Sequence, residues 1–251
     1  MAAFVQLQWL LLTRSPRLLA TLFVVPLYAV VFFTTVRSYG APELAGTVAL
    51  TAFSMSMWSQ AMFVAAEVVD NDRWDGTLEP SLLTANAYVR SLVTRVCTTT
   101  ALSVPVLVEV IAIGRVGFEF PLPVHRPGIA LTATLLLVVG TAGSALLVSA
   151  LMIIVPVGRL LQNALTYPFY ILGGLVLPVT SLPAPVEWVA RLFFLSHGAQ
   201  LLRDAMSGAD GSHWGDFWAL LVLSVVQLAA GVFLLRRALS RARRGEARLY
   251  A

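Results

Sequence analysis

Five carboxylates crowd around one arginine in residues 67–79: Glu67, Asp70, Asp72, Asp75 and Glu79 flank Arg73 in the run E-V-V-D-N-D-R-W-D-G-T-L-E. Charge of this density can make ion pairs, cap helix ends and dock on a partner. It cannot sit in hydrocarbon, where each carboxylate would be costly, so the stretch is expected in water or against another protein. Residues arranged for catalysis are missing. His125, His197 and His213 are far apart in sequence, no H-E-x-x-H or G-x-S-x-G occurs, and no metal site is expected. All seventeen basic residues are arginine, so the Gly-x-x-x-x-Gly-Lys loop that cradles phosphates cannot form. The single cysteine, Cys97, excludes an internal disulfide.

The elements that must hold this stretch are apolar. Hydrophobic residues make up 58% of the 251 and charged residues 12%, against roughly 25% charged in a soluble domain. The expected fold is an all-α integral membrane protein, one transmembrane domain over residues 1–251. Residues 1–17, with Phe4, Leu7 and Leu11 against Gln8, Arg14 and Arg17, read as an interfacial helix. A removed signal peptide is not expected, because residues 1–12 lack a basic start and a small-residue cleavage site. Six spans are predicted near residues 18–36, 44–69, 88–113, 128–155, 164–179 and 214–235, each compared with the ~20 residues that a hydrocarbon core demands. Residues 67–87 form the charged inner region. The loop at 114–127, with Pro121, Pro123 and Pro127, reads as extended. Residues 180–212 are broken by Pro183 and Pro185 into pieces too short to cross, which predicts short re-entrant or outer-surface helices. Residues 236–251 make a basic tail, expected to anchor topology and touch anionic lipid. In the fourth span Gly140 and Ser144 form a small-xxx-small face for close helix approach.

Arginine placement sets the orientation. With both termini inside, Arg14, Arg17, Arg73, Arg90, Arg95, Arg159 and the six tail arginines are cytoplasmic, while Arg37, Arg115, Arg126, Arg191 and Arg203 are outside.

With these features in place, the chain resembles the type-2 permeases of bacterial ATP-binding-cassette exporters. The resemblance rests on the interfacial helix, the six spans, the proline-broken outer segment and an E-x5-R-x2-G-T-L-E-x-x-L-L segment after the second span, here Glu67, Arg73, Gly76, Thr77, Leu78, Glu79, Leu82 and Leu83. Pro80 lies inside the segment, and Thr84-Ala85 stands where such permeases often carry proline. The resemblance implies that these eight residues form a coupling helix docking on a separate ATPase subunit. ATP and magnesium would be bound there, so this chain is expected to hold no cofactor and to be no enzyme itself. It also implies a dimeric path, through two copies or one copy with a related permease, in the bacterial plasma membrane. Its cargo would be a drug, antibiotic, lipid or peptide. Residue chemistry agrees: Gly76 can close the second-span helix with a left-handed turn, and Arg73 is placed to bridge Glu67, Asp70 or Glu79.

Two further groups are candidates. His197, Gln200, Arg203 and Asp204 are a possible outer gate, against the alternative of polar residues at the headgroup boundary. Gln60, Glu109 and Asn163 are possible intramembrane polar groups, with Glu109 also able to pair with Arg115. Other readings stay open: a non-transporting scaffold, assembly or haem-handling subunit, a polysaccharide exporter permease, or a secondary carrier, for which no convincing internal repeat is visible. Nucleic-acid binding is not expected.

Overall fold

A backbone in hydrocarbon must satisfy its own N–H and C=O groups, and a single chain of apolar runs does so as helix. The computed structural model describes residues 16–65, 68–77, 80, 85–154, 158–176, 178–208 and 213–244. Among the described residues the regular structure is all helical, with no strand. In chain order the helices are α1 (Pro16–Tyr39), α2 (Ala45–Gln60), α3 (Val68–Trp74), α4 (Ala85–Ala101), α5 (Val104–Ala112), α6 (Pro127–Ile154), α7 (Gly158–Leu172), α8 (Ala184–Ala190), α9 (Phe194–Ser207) and α10 (Trp214–Arg243). Among the described residues, three helical stretches are long and apolar enough to cross a membrane: Ala87–Gly117, Pro127–Ile154 and Trp214–Arg243. The interfacial helix expected at residues 1–17 lies almost wholly outside the described residues, as does the tail beyond residue 244.

Several expected boundaries move. Helix persists past the second span's expected end at residue 69: α2 runs into a π-helical turn at Ala61–Ala65, and α3 continues to Trp74. The third span is broken in the middle. Pro105, in the first turn of α5, has no N–H to donate, and its ring crowds the carbonyl four residues back. The chain accommodates it with a tight turn, Leu102 N to Thr99 O and Ser103 N to Thr100 O. Helix then extends through a π turn at Ile113–Gly117, so the loop begins only at residue 118. The helix at the predicted fifth span, α7, starts earlier than predicted and ends at Leu172, just before Gly174 takes a left-handed conformation at φ +64°. The proline-broken segment does form two short helices, α8 and α9.

The core lies along α6, which packs against α10 on one side and α9 on another. Of the predicted small-residue face, Gly140 meets the ring of Phe194 on α9, while Ser144 accepts a hydrogen bond from Gln227 Nε2 on α10 at 3.0 Å. The closest crossing of α6 and α10 is made by Gly143 and Gly231 instead. A Cβ on Gly143 would fall 2.5 Å from the backbone nitrogen of Leu228, and one on Gly231 would fall 2.5 Å from Gly143 O. Helix α7 and the turn after it are fastened to α2 by Trp58 stacked on Phe169 at 4.8 Å between centroids, by Ser59 and Tyr170 hydroxyls 2.7 Å apart, and by Thr51 Oγ1 donating to Leu175 O at 2.9 Å.

Candidate functional site

Helix α3 is short, and its end is built by backbone chemistry. Gly76 is left-handed at φ +65°, Gly76 N donates to Arg73 O at 3.1 Å, and Thr77 N donates to Asp72 O at 3.0 Å. These two bonds are a Schellman closure, which only a residue tolerant of positive φ completes cheaply. Thr77 Oγ1 adds a third bond to the same carbonyl at 3.1 Å. The closure turns the chain out of the helix at a fixed point. Beyond it Asp75, Gly76, Thr77 and Pro80 are exposed, and Trp74 is 79% exposed.

Asp72 points the other way. Expected in water or against another protein, it is only 7% exposed and lies against its own chain. Arg95 Nη1 donates to both of its carboxylate oxygens at 2.8 Å, and the Tyr88 hydroxyl donates to Oδ2 at 2.9 Å. Tyr88 and Arg95 are seven residues apart on α4, hence on one face. The neighbouring Arg73 Nη2 donates to Met152 O, near the end of α6, at 2.9 Å. Two successive residues of α3 therefore fasten it to two different helices. A charge-assisted hydrogen bond is roughly twice as strong as a neutral one, and here three converge on the Asp72 carboxylate and a fourth leaves the Arg73 guanidinium.

The predicted docking residues divide accordingly. Arg73, Gly76 and Thr77 are placed as described, whereas Glu67, Leu78, Glu79, Leu82 and Leu83 lie outside the described residues. The sequence reading missed Asp72, Tyr88, Arg95 and Trp74 as parts of this site. In the sequence alone Arg95 reads only as a cytoplasmic charge near the start of the third span. Its signal was available in principle: an arginine two turns inside a predicted span, on the same face as a tyrosine, implies a buried anion nearby.

At the other end of α6, on the order of 40 Å away at about 1.5 Å per residue, the predicted gate residues enter two separate networks. His197 Nδ1 lies 2.7 Å from Asp216 Oδ1 on α10, and its Nε2 lies 2.9 Å from Arg191 O. Both partners are acceptors, so both ring nitrogens must donate and the ring is the imidazolium. In the second network Gln200 Nε2 donates to Asp204 Oδ1 at 2.9 Å, while Asp204 Oδ2 lies 3.1 Å from His213 Nδ1. Arg126 Nη1 lies 2.6 Å from His213 Nε2. Arginine can only donate, so His213 accepts through Nε2 and carries its proton on Nδ1. Arg203 donates to Gly174 O, the turn that ends α7. His197, Arg203 and Asp204 thus join α9 to Asp216 on α10, to the turn after α7 and to His213 at the start of α10, while Gln200 bonds within α9.

The Asp216 hydrogen bond outweighs partial burial and the nearby Arg191 charge, raising the His197 pKa above its ordinary 6.5. A raised folded value means the stabilisation is complete below 6.5 and is lost as pH rises through the folded value. The melting-temperature difference between wild type and His197→Gln is therefore expected to be largest near pH 5 and to shrink by about pH 9. A difference that stays constant across that range would show the ring is not held as the cation.

The intramembrane candidates do not cluster. Gln60 Nε2 donates to Thr99 O at 3.2 Å, joining α2 to α4. Asn163 is exposed on α7. Glu109 does not meet Arg115, whose Nε and Nη2 both donate to Leu122 O.

Helices of crossing length, a fastened elbow at one end and a stitched pair of short helices at the other describe a multi-pass membrane protein. A family model described as ABC-2 type transporter matches residues 1–207. Among curated proteins no match is found.

Proposed function

The chain belongs to the ABC-2 type transporter family, and from that premise we propose that it is the permease of an ATP-binding-cassette exporter, driven through the α3 elbow by a separate ATPase. The permease spans the membrane six times, with both termini cytoplasmic as the arginine distribution favours. It pairs with a second copy or a related permease around a path for hydrophobic or amphipathic cargo such as a drug, antibiotic, lipid or peptide. ATP and magnesium belong to the partner, consistent with the absence of lysine from this sequence.

The observation that carries this reading is the double fastening of α3. Asp72 holds it to α4 and Arg73 holds it to α6, so a displacement of residues 75–84 moves three helices together instead of flexing a loop. Trp74, exposed next to the closure, adds an apolar contact to the expected Leu78, Leu82 and Leu83 edge. An ATPase that closes on ATP would push on this edge, and the fixed joint would pass the push to the spans.

Leu78→Asp places a charge on that edge. Export per ATP hydrolysed is expected to fall about tenfold or more, within the range of a 1–3 kcal/mol coupling, while the protein still inserts and the ATPase still turns over. Arg73→Ala and Glu67→Ala are expected to uncouple in the same direction. Reconstitution with the cognate ATPase, reading hydrolysis and export side by side, decides the matter. Coupled export at wild-type stoichiometry in all three variants would remove the elbow from the mechanism.

A further inference from the structure

The last three turns of α10 and the residue after it carry a groove of about 650 Å³ lined by Phe233, Arg236, Arg237, Ser240, Arg241 and Arg244. All six are exposed. The buried residues of the same stretch, Leu235, Ala238, Leu239 and Ala242, occupy the opposite face and hold the helix to the bundle. Among the described residues none of the four groove arginines makes an ion pair with a carboxylate, and Arg237 with Arg241 and Arg241 with Arg244 stand four and three residues apart, spacings at which like charges repel. The helix dipole favours cations in the final turn, but it reaches neither Arg236 nor Arg237, nor does it select a face.

The face continues upward without charge. Val222, Val226, Ala229 and Phe233 follow one another at three- and four-residue steps and lead directly to Arg237, Ser240 and Arg244, so they share one stripe of the helix. Val222, Val226 and Phe233 are each more than half exposed. An apolar strip three turns long that ends in a cluster of unpaired cations matches an acyl chain joined to an anionic headgroup. It does not match a soluble anion, which would leave the strip unused.

We propose that α10 carries a binding site for one anionic phospholipid of the cytoplasmic leaflet, its phosphate held by Arg237, Arg241 and Arg244 and its acyl chain lying along Val222, Val226 and Phe233. Assignment to that leaflet rests on the orientation proposed above; the site itself does not depend on transport. The Ser240 hydroxyl, between the arginines, donates to Arg237 O at 2.8 Å, so the donors facing a headgroup are the guanidinium groups. Arginine suits this role because its planar fork takes phosphate oxygens in pairs.

The test reads lipid retention with no ATPase and no cargo, so failed export would not count against it. The full-length protein is reconstituted in nanodiscs containing equal phosphatidylglycerol and phosphatidylcholine, extracted in mild detergent, and its retained lipid is weighed by native mass spectrometry. Wild type is expected to keep phosphatidylglycerol preferentially, and R237Q/R241Q/R244Q to lose it about tenfold or more, since each basic residue near an anionic surface contributes appreciably. R237K/R241K/R244K keeps the charge but loses the fork, and should fall between them. Should the glutamine variant fail to insert, wild-type retention in rising salt decides: it must decline as the ionic contact is screened. Equal retention of both lipids, salt-independent retention, or displacement by glycerol 3-phosphate would overturn the proposal. So would a cross-link between two copies at this face.

Discussion

Asp72→Ala is expected to lower stability by about 3 kcal/mol, the low end of the range for breaking a buried ion pair, and to uncouple export from ATP hydrolysis. The low end applies because 18% of the Arg95 side chain still reaches solvent. The substitution removes the acceptor of two guanidinium bonds and strands the Tyr88 hydroxyl, which is 6% exposed, with nothing to receive its proton. An unsatisfied buried donor costs about 1–3 kcal/mol by itself. A single variant cannot separate loss of stability from loss of a mechanical joint, so its partner is D72M/Y88F/R95M. Replacing an entire buried polar cluster with apolar side chains of similar size is often neutral or stabilising, and the triple variant should recover most of the melting temperature in detergent. Its packing has no direction, however, and a push arriving through α3 would be passed less faithfully to α4. Recovered stability with export still poorly coupled identifies the carboxylate as a transmitting joint. Recovery of both would make it a packing element only, and an unchanged melting temperature for Asp72→Ala would mean the pair contributes no stability.

The contrast between Asp72 and its neighbours explains what a reader of the sequence could and could not foresee. Membrane class and helical class follow from composition alone, because lipid leaves a chain of long apolar runs little choice. The elbow was legible too, since Gly76 in a dense polar stretch after an apolar run marks a helix end, and the family segment E-x5-R-x2-G-T-L-E sits around it. Which carboxylate turns inward was not legible. Asp72 and Asp75 look alike in one dimension, and that Asp72 turns inward depends on Arg95 lying opposite, 23 residues later. The same limit applied to the small residues of α6. Gly140 and Ser144 satisfy the spacing rule, but Gly143 meets α10 because the partner glycine, Gly231, lies 88 positions away. The break at Pro105 was readable from local chemistry and passed unnoticed within a convincing apolar run. His197 and Asp204 were found as polar residues of the outer segment; their separation into two networks depended on His213 and Asp216, which only the fold brings near.

Gly143→Ala is expected to be the most disruptive single methyl addition among the α6 glycines. In a bilayer, helices are not driven together by burial of apolar surface, since lipid tails are equally apolar; close packing holds them instead. The added methyl would stand 2.5 Å from the Leu228 nitrogen and 2.6 Å from the Gln227 carbonyl carbon, about 0.9 Å inside the 3.4 Å at which ordinary contact begins. Both are backbone atoms, so no side chain can rotate away. Either α6 and α10 separate along their crossing, or the Gln227–Ser144 hydrogen bond at 3.0 Å is stretched. Overpacking typically costs about 1–3 kcal/mol, occasionally more, and a clash against backbone belongs at the top of that range. Gly140→Ala meets the Phe194 ring at 2.5 Å, a side chain that can tilt, and should cost less. Gly128→Ala meets nothing within 4 Å and should cost nothing. The expected order of melting temperatures in detergent is therefore Gly128→Ala level with wild type, then Gly140→Ala, then Gly143→Ala. Gly231→Ala, which drives a methyl toward Gly143 O from the other helix at 2.5 Å, should match Gly143→Ala. Two variants on different helices failing together, beside a tolerant third, would fix the crossing point. A Gly143→Ala protein that melts with wild type would mean the two helices do not meet there.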